Sequence, residues 1–195
     1  MRLRTWTTIL VIVVAGALVA GAVPVPLFTV DYVSAWAQKC DFVTGGGWIV
    51  RPNGAKANFG VGGGCKNGSP TWGHLEYVDH GNIPSGTVPP PFNVHWESIT
   101  AYLFIDDTTR DICGTARTND PSYPKVDFHV RVADNGEPGV NDIFAIRLAV
   151  GGATIYTTEF DPDHRLGAGG PGGGNIQLHK PNPSTTGDFG GTCNT

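Results

Sequence analysis

Residues 126–132 (VDFHVRV) and Ile143–Val150 (IFAIRLAV) decide the fold. Each alternates apolar and polar side chains with a period of two, the spacing of a strand with one buried face. In the first run Val126, Phe128, Val130 and Val132 share one side, and Asp127, His129 and Arg131 the other. In the second, Phe144, Ile146, Leu148 and Val150 point inward and Arg147 outward. Related runs recur at 47–50, 57–61, 74–78, 94–105, 112–117, 155–160 and 175–179, separated by Gly, Pro, Asn and Asp clusters. Helix-forming chemistry is scarce: four Glu, five Lys, two Gln and one Met stand against 28 Gly and 15 Pro, so no helix of several turns is expected. The expected fold is all-β, a two-layer antiparallel β-sandwich of about nine strands. The proline-rich 83–92 (IPSGTVPPPF) is too rigid for a central strand, and the glycine-rich 166–174 (LGAGGPGGG) reads as a turn.

The start of the chain sets the compartment. Arg2 and Arg4 precede an uncharged apolar run over 9–23, a signal-peptide pattern shorter than the roughly 20 residues of a membrane span. Ala35 and Ala37 suit cleavage after Ala37, in preference to Ala20 and Ala22. Residues 1–37 are thus read as signal peptide, 38–182 as one domain and 183–195 as a polar tail that Cys193 could pin. Removing the leader takes away Arg2, Arg4 and Asp31, so 11 basic and 16 acidic residues remain, a net charge of −5. A mildly acidic chain without a Lys/Arg run lacks the electrostatic footprint of a nucleic-acid or anionic-lipid binder. Cys40, Cys65, Cys113 and Cys193 follow the leader at spacings unlike a zinc or redox motif, which implies two disulfides. Of three possible connectivities, Cys40–Cys193 with Cys65–Cys113 would tie down both ends and is the working expectation.

The segments 43–49 (VTGGGWI), 56–60 (KANFG), 73–80 (GHLEYVDH), 134–144 (DNGEPGVNDIF) and 173–181 (GGNIQLHKP) together resemble the bacterial post-COAP domain, which follows choice-of-anchor modules in secreted and surface proteins. The resemblance implies an extracellular β-sandwich module and carries no catalytic set. The four cysteines and the proline-rich insertion depart from the family pattern.

Two clusters carry candidate chemistry. Asp134, Asn135, Glu137, Asn141 and Asp142 crowd hard oxygen atoms onto one connection, as calcium requires; the same residue types also build hairpin turns by bonding their own backbone. Trp72 follows a polar loop (65–72, CKNGSPTW) and is the candidate ring for stacking a sugar, whereas Trp48 and Trp96 lie in strand patterns and are expected in the core. His74, Glu76 and His80 alternate on one strand face above Leu75 and Tyr77, a solvated face more readily than a zinc hydrolase. The triplet Gly45–Gly47 reads as a turn or bulge that admits Trp48 to the core. These residues point to a non-catalytic extracellular module for adhesion, ligand binding or matrix structure. Its partners would be polysaccharide or cell-surface components. Carbohydrate binding, self-assembly by strand addition and polysaccharide hydrolysis are the alternatives. Protein recovered from culture medium should have Gln38 at its amino terminus by intact mass; a membrane-bound form retaining Met1 would contradict export with cleavage.

Overall fold

A computed structural model describes residues 39–195; the expected signal peptide, 1–37, and its cleavage site lie outside the described residues. The strands are β1 (Phe42–Val50), β2 (Lys56–Gly64), β3 (Trp72–Asp79), β4 (Phe92–Phe104), β5 (Thr109–Thr118), β6 (Lys125–Ala133), β7 (Ile143–Val150), β8 (Ala153–Thr157), β9 (Gly174–His179) and β10 (Gly190–Gly191). All nine expected strands are present, and every pairing between them is antiparallel. They do not form two packed layers. The order β8-β7-β6-β5-β4-β3-β2-β1-β9 is a single sheet, because each strand from β1 to β7 pairs with its successor and β9 returns to the free side of β1.

The sheet curls into a half-barrel, bringing apolar side chains from distant strands together. Phe59 of β2 stacks on Phe144 of β7 with centroids 3.9 Å apart, and Tyr77 of β3 meets Tyr156 of β8 edge-on. Phe128, Val130, Ile146 and Leu148 are fully buried beneath them, as alternation requires. β4 bends at two register shifts against β5, between Trp96 and Ser98 and between Ile99 and Ala101. Its first residues pair with β3, while β10 covers the edge at Ala101 and Tyr102.

Two features close the open side. Beyond β8 the chain continues along β7: Thr158 N–H donates to Ile146 O at 2.9 Å, Phe144 N–H to His164 O at 3.1 Å and Leu166 N–H to Asp142 O at 3.0 Å. Leu166 is fully buried there. The edge of β9 that faces away from β1 has no strand partner among the described residues, and carboxylates take its place. Ile176 N–H donates to Asp142 Oδ2 at 2.7 Å and Leu178 N–H to Asp134 Oδ2 at 2.8 Å.

The disulfides are Cys40–Cys65 and Cys113–Cys193, which corrects the expected Cys40–Cys193 and Cys65–Cys113 pairing. The β1–β2 register explains the first. Phe42 opposes Gly64, so Cys40 and Cys65 emerge together at the base of that hairpin. The second bridge forms because residues 184–192, read as a polar tail, fold back along the sheet. Thr186 N–H donates to Cys65 O, Thr192 N–H to Thr100 O, and Phe189 stacks on Tyr102.

Asp142→Asn leaves one of two seam amides facing an NH₂ group, since Asp142 also accepts from Asn135 N–H through Oδ1. An expected loss of about 1–3 kcal/mol, the cost of an unsatisfied buried group, would show in urea unfolding; an unchanged midpoint would remove the seam's claimed role.

Candidate functional site

The outer face of β9-β1-β2-β3 is built by alternation from Phe42, Thr44, Gly46 and Trp48 of β1, Asn58, Gly60 and Gly62 of β2, Trp72, His74 and Glu76 of β3, and Gln177 and His179 of β9. Gly45–Gly47 is regular strand rather than a turn or bulge, paired residue for residue with Phe59–Val61. Because Ile49 points into the core, Trp48 lies on the outer face and is half-buried, not a core residue. Gly46 and Gly60 sit opposite each other. A Cβ at Gly60 would meet no atom within 4 Å, and one at Gly46 would press on Phe59 O at 3.3 Å and meet Gly60 Cα at 3.9 Å. The two glycines thus floor an open trough.

Aromatic groups bracket this floor. At one end Phe42 stacks on His179 at 4.4 Å and meets Trp72 edge-on at 5.9 Å. Lys66 Nζ lies 5.0 Å from the Trp72 ring. Trp72 and His74 fold over Gly62, and His179 Nε2 lies 2.8 Å from Thr44 Oγ1. At the other end Lys56 Nζ sits 4.0 Å from the centre of the Trp48 ring, whose indole N–H donates to Gly172 O. Phe42 and Trp48 are six residues apart on one strand, about 20 Å at ~3.3 Å per residue. Glu76 pairs with His95 on the same face, and His80 with Asn58. His74, Glu76 and His80 therefore do not converge on one point.

The oxygen-rich connection behaves as turn and seam. Asp134 accepts from Gly136 N–H and Leu178 N–H, and Asp142 from Asn135 N–H and Ile176 N–H. Glu137 accepts from the Asn175 amide, and Asn135 donates to the Asn141 carbonyl. Burial, with Asp134 and Glu137 close by, pushes the Asp142 carboxyl above its ordinary range despite those two amides. Among the described residues, the one trio of His, Cys, Asp or Glu ligand atoms mutually within 4.8 Å is Cys113, His129 and Cys193. A cleft of about 610 Å³ adjoins the seam between Thr108, Asn135 and Lys180.

Four of the buried carboxylates lie against arginine. Asp41 receives Arg110 at 2.6 Å and the Tyr102 hydroxyl at 2.7 Å; Asp79 receives Tyr156 at 2.6 Å, with Arg51 Nε 3.2 Å away. Arg147 pairs with Glu159. On the outer side of β5 and β6, Arg131 binds Asp111 through both carboxylate oxygens at 2.7 Å, and His129 Nε2 lies 2.9 Å from Asp111 Oδ2. His129 and Arg131 are buried, a departure from the solvated face that alternation suggested, because residues 192–193 return over this side through Cys193. Burial alone would raise the Asp111 carboxyl, yet hydrogen bonds from Arg131 and His129 hold it below its ordinary value.

No protein-family model, no curated protein and no solved structure matches this chain. No helix among the described residues is long and apolar enough to cross a membrane.

Arg131→Met should cost about 3–5 kcal/mol at neutral pH, the usual penalty for stripping one partner from a buried ion pair. Asp111 has a lowered pKa when folded, so its stabilisation is complete above the unfolded value of about 3.9 and is lost as pH falls through the folded value. Unfolding curves of wild type and variant should therefore converge in acid; a pH-independent gap would contradict the assignment.

Proposed function

We propose that the protein is an exported, non-catalytic module that binds a saccharide on the outer face of β9-β1-β2-β3. The bare floor at Gly46 and Gly60 between Trp72 and Trp48 carries this reading. A pyranose ring offers a flat apolar face to an aromatic ring and a rim of hydroxyls to polar side chains. The trough supplies both kinds of partner: indole rings at its ends, and Thr44, Gln177, Asn58, His74 and Glu76 beside it. Lys66 and Lys56 stand at the two ends, which favours a saccharide bearing carboxylate or sulfate groups.

Two further observations support binding rather than chemistry or protein docking. The buried carboxylates Asp41, Asp79, Asp111 and Glu159 each lie against arginine, and Asp142 spends both its oxygens on backbone amides, so none of them stands free as one of the facing pair that glycoside hydrolysis uses. Val150 and Phe160 are the exposed large apolar residues among those described, and neither lies on this face, so it lacks the apolar centre of a stable protein interface. Two disulfides are compatible with an extracellular protein, and the post-COAP resemblance agrees with a surface module.

Gly60→Val tests the reading by adding bulk where a Cβ meets nothing within 4 Å and the backbone is extended. On an array of acidic and neutral glycans the wild type should bind, Gly60→Val should melt at or above the wild-type temperature, and its binding should fall by tenfold or more. Trp72→Ala should weaken binding similarly. Wild-type protein that binds no glycan, or a Gly60→Val variant that binds as the wild type does, would overturn the assignment.

A further inference from the structure

We infer that Cys113, Cys193 and His129 form a metal site for a soft divalent cation of the zinc class, closed while the two sulfurs are bonded to each other and opened when a dithiol reduces them. The inference is independent of the glycan reading, because the cluster lies on β5 and β6 rather than on the trough face.

The sheet register assembles the three ligands. Cys113 of β5 stands directly opposite His129 of β6, and directly opposed residues share a face with Cβ atoms about 4.5–5.5 Å apart. Ala101 is the β4 partner of Cys113 and pairs on its other side with Gly191. The short side chain of Ala101 lets Cys193, two residues farther on, reach across β4 to Cys113. One ligand atom from each of the three residues lies within 4.8 Å of the other two. Around a tetrahedral zinc, with Zn–S ~2.3 Å and Zn–N ~2.0–2.1 Å, such atoms stand about 3.3–3.8 Å apart. The imidazole and sulfurs thus need to move by about an ångström, and Cys193 has the freedom to do so because β10 is only two residues long.

The surroundings match the needs of such a site. A ligating histidine ordinarily has a carboxylate behind it that fixes its tautomer and orientation; here Asp111 lies 2.9 Å from His129 Nε2 and is itself held by Arg131. Two thiolates and one imidazole leave a fourth tetrahedral position for water or an added ligand. Cys113 is fully buried while Cys193 is half-buried, so a reductant reaches the cluster from the Cys193 side. The other bridge, Cys40–Cys65, belongs to no such trio among the described residues.

The chemistry balances in two steps. A dithiol gives two electrons and two protons to the Cys113–Cys193 bond, yielding two thiols and becoming a disulfide itself. The metal ion then displaces both thiol protons and takes the two thiolates and the imidazole as ligands.

Cobalt(II) serves as the probe. The full exported chain, reduced with a phosphine and freed of it under nitrogen, should bind one Co²⁺ with thiolate-to-cobalt charge-transfer absorption and the intense visible bands of a tetrahedral ion, and Zn²⁺ should displace it. The oxidised protein should show neither. His129→Ala, checked for folding in its oxidised form by circular dichroism, should bind at least tenfold more weakly. Asp111→Asn should bind about 10–100-fold more weakly, the usual cost of losing such a carboxylate. Cys40→Ser/Cys65→Ser should keep the bands. Absence of the bands, bands unaffected by His129→Ala, or a reduced chain that unfolds and is not restored by the metal would each overturn the proposal.

Discussion

The concave face of a nine-strand sheet stays dry only if its two outermost strands are joined, and β8 and β9 never pair. Direct pairing would demand that residues 158–174 end in step with β9, and the glycine-rich turn and buried Leu166 intervene instead. The chain therefore joins the strands indirectly. Residues 158–166 extend the track of β8 along β7, and Asp134 and Asp142 reach from the β6–β7 connection to the amides of β9. A carboxylate is well suited to this task because it is acceptor-only with two oxygens. Asp142 uses one oxygen to hold its own loop and the other to hold β9. The rigidity of the connection and the closure of the half-barrel are consequently one interaction network, and the Phe59–Phe144 stack at its centre depends on both.

Closure also decides where polar groups end. The returning carboxyl-terminal residues reach the outer side at β4 and Cys113 of β5, and beside them Asp111 is buried with Arg131 and His129. Buried ion pairs of this kind contribute little net stability but are costly to break. The outer region over β9-β1-β2-β3 has no covering segment among the described residues. The outer side of the sheet is thus covered around Cys113 and His129 and uncovered over β9-β1-β2-β3.

Alternation makes the strands legible, and it identifies the core residues of β6 and those of β7 up to Leu148, because period-two patterning reports which side chains face inward; Val150, expected inward, is exposed beyond the register shift of β7 against β8. It does not report whether the facing layer is a second sheet or the far side of the same one, so it leads to a sandwich where a half-barrel forms. The first disulfide is nearly readable: counting back from the Val50–Lys56 pair brings Cys40 and Cys65 to the hairpin base. The same count across β5 and β6 sets Cys113 opposite His129. The second bridge is not readable, since it depends on β10 filling the edge of a bent β4, and two glycines carry no strand signal. Pattern reading misplaces Trp48 because the glycine triplet resembles a bulge, whereas inward Ile49 requires its neighbour to face out.

The glycines of the trough strands separate structural demand from its absence. Gly45 is required because a Cβ would meet the backbone oxygen of Asn175 at 2.9 Å, Gly47 because it would collide with Gly173 O, and Gly63 because it would press on Ile112 at 2.8 Å. These contacts let β9 and the core side chains approach the backbone of β1 and β2. Gly60 has no such reason: its backbone is extended and the space above it is empty. A glycine within a strand costs roughly 0.5–1 kcal/mol relative to alanine, and a β-branched residue there would gain packing against its cross-strand neighbours. Folding therefore favours replacing Gly60, while a ligand that lies flat across the face requires keeping it. That opposition, at a position flanked by Trp48 and Trp72 and paired with Gly46 and Glu76, is the physical ground for proposing a binding surface here rather than at the acidic seam, whose oxygens accept the backbone amides that hold the fold closed.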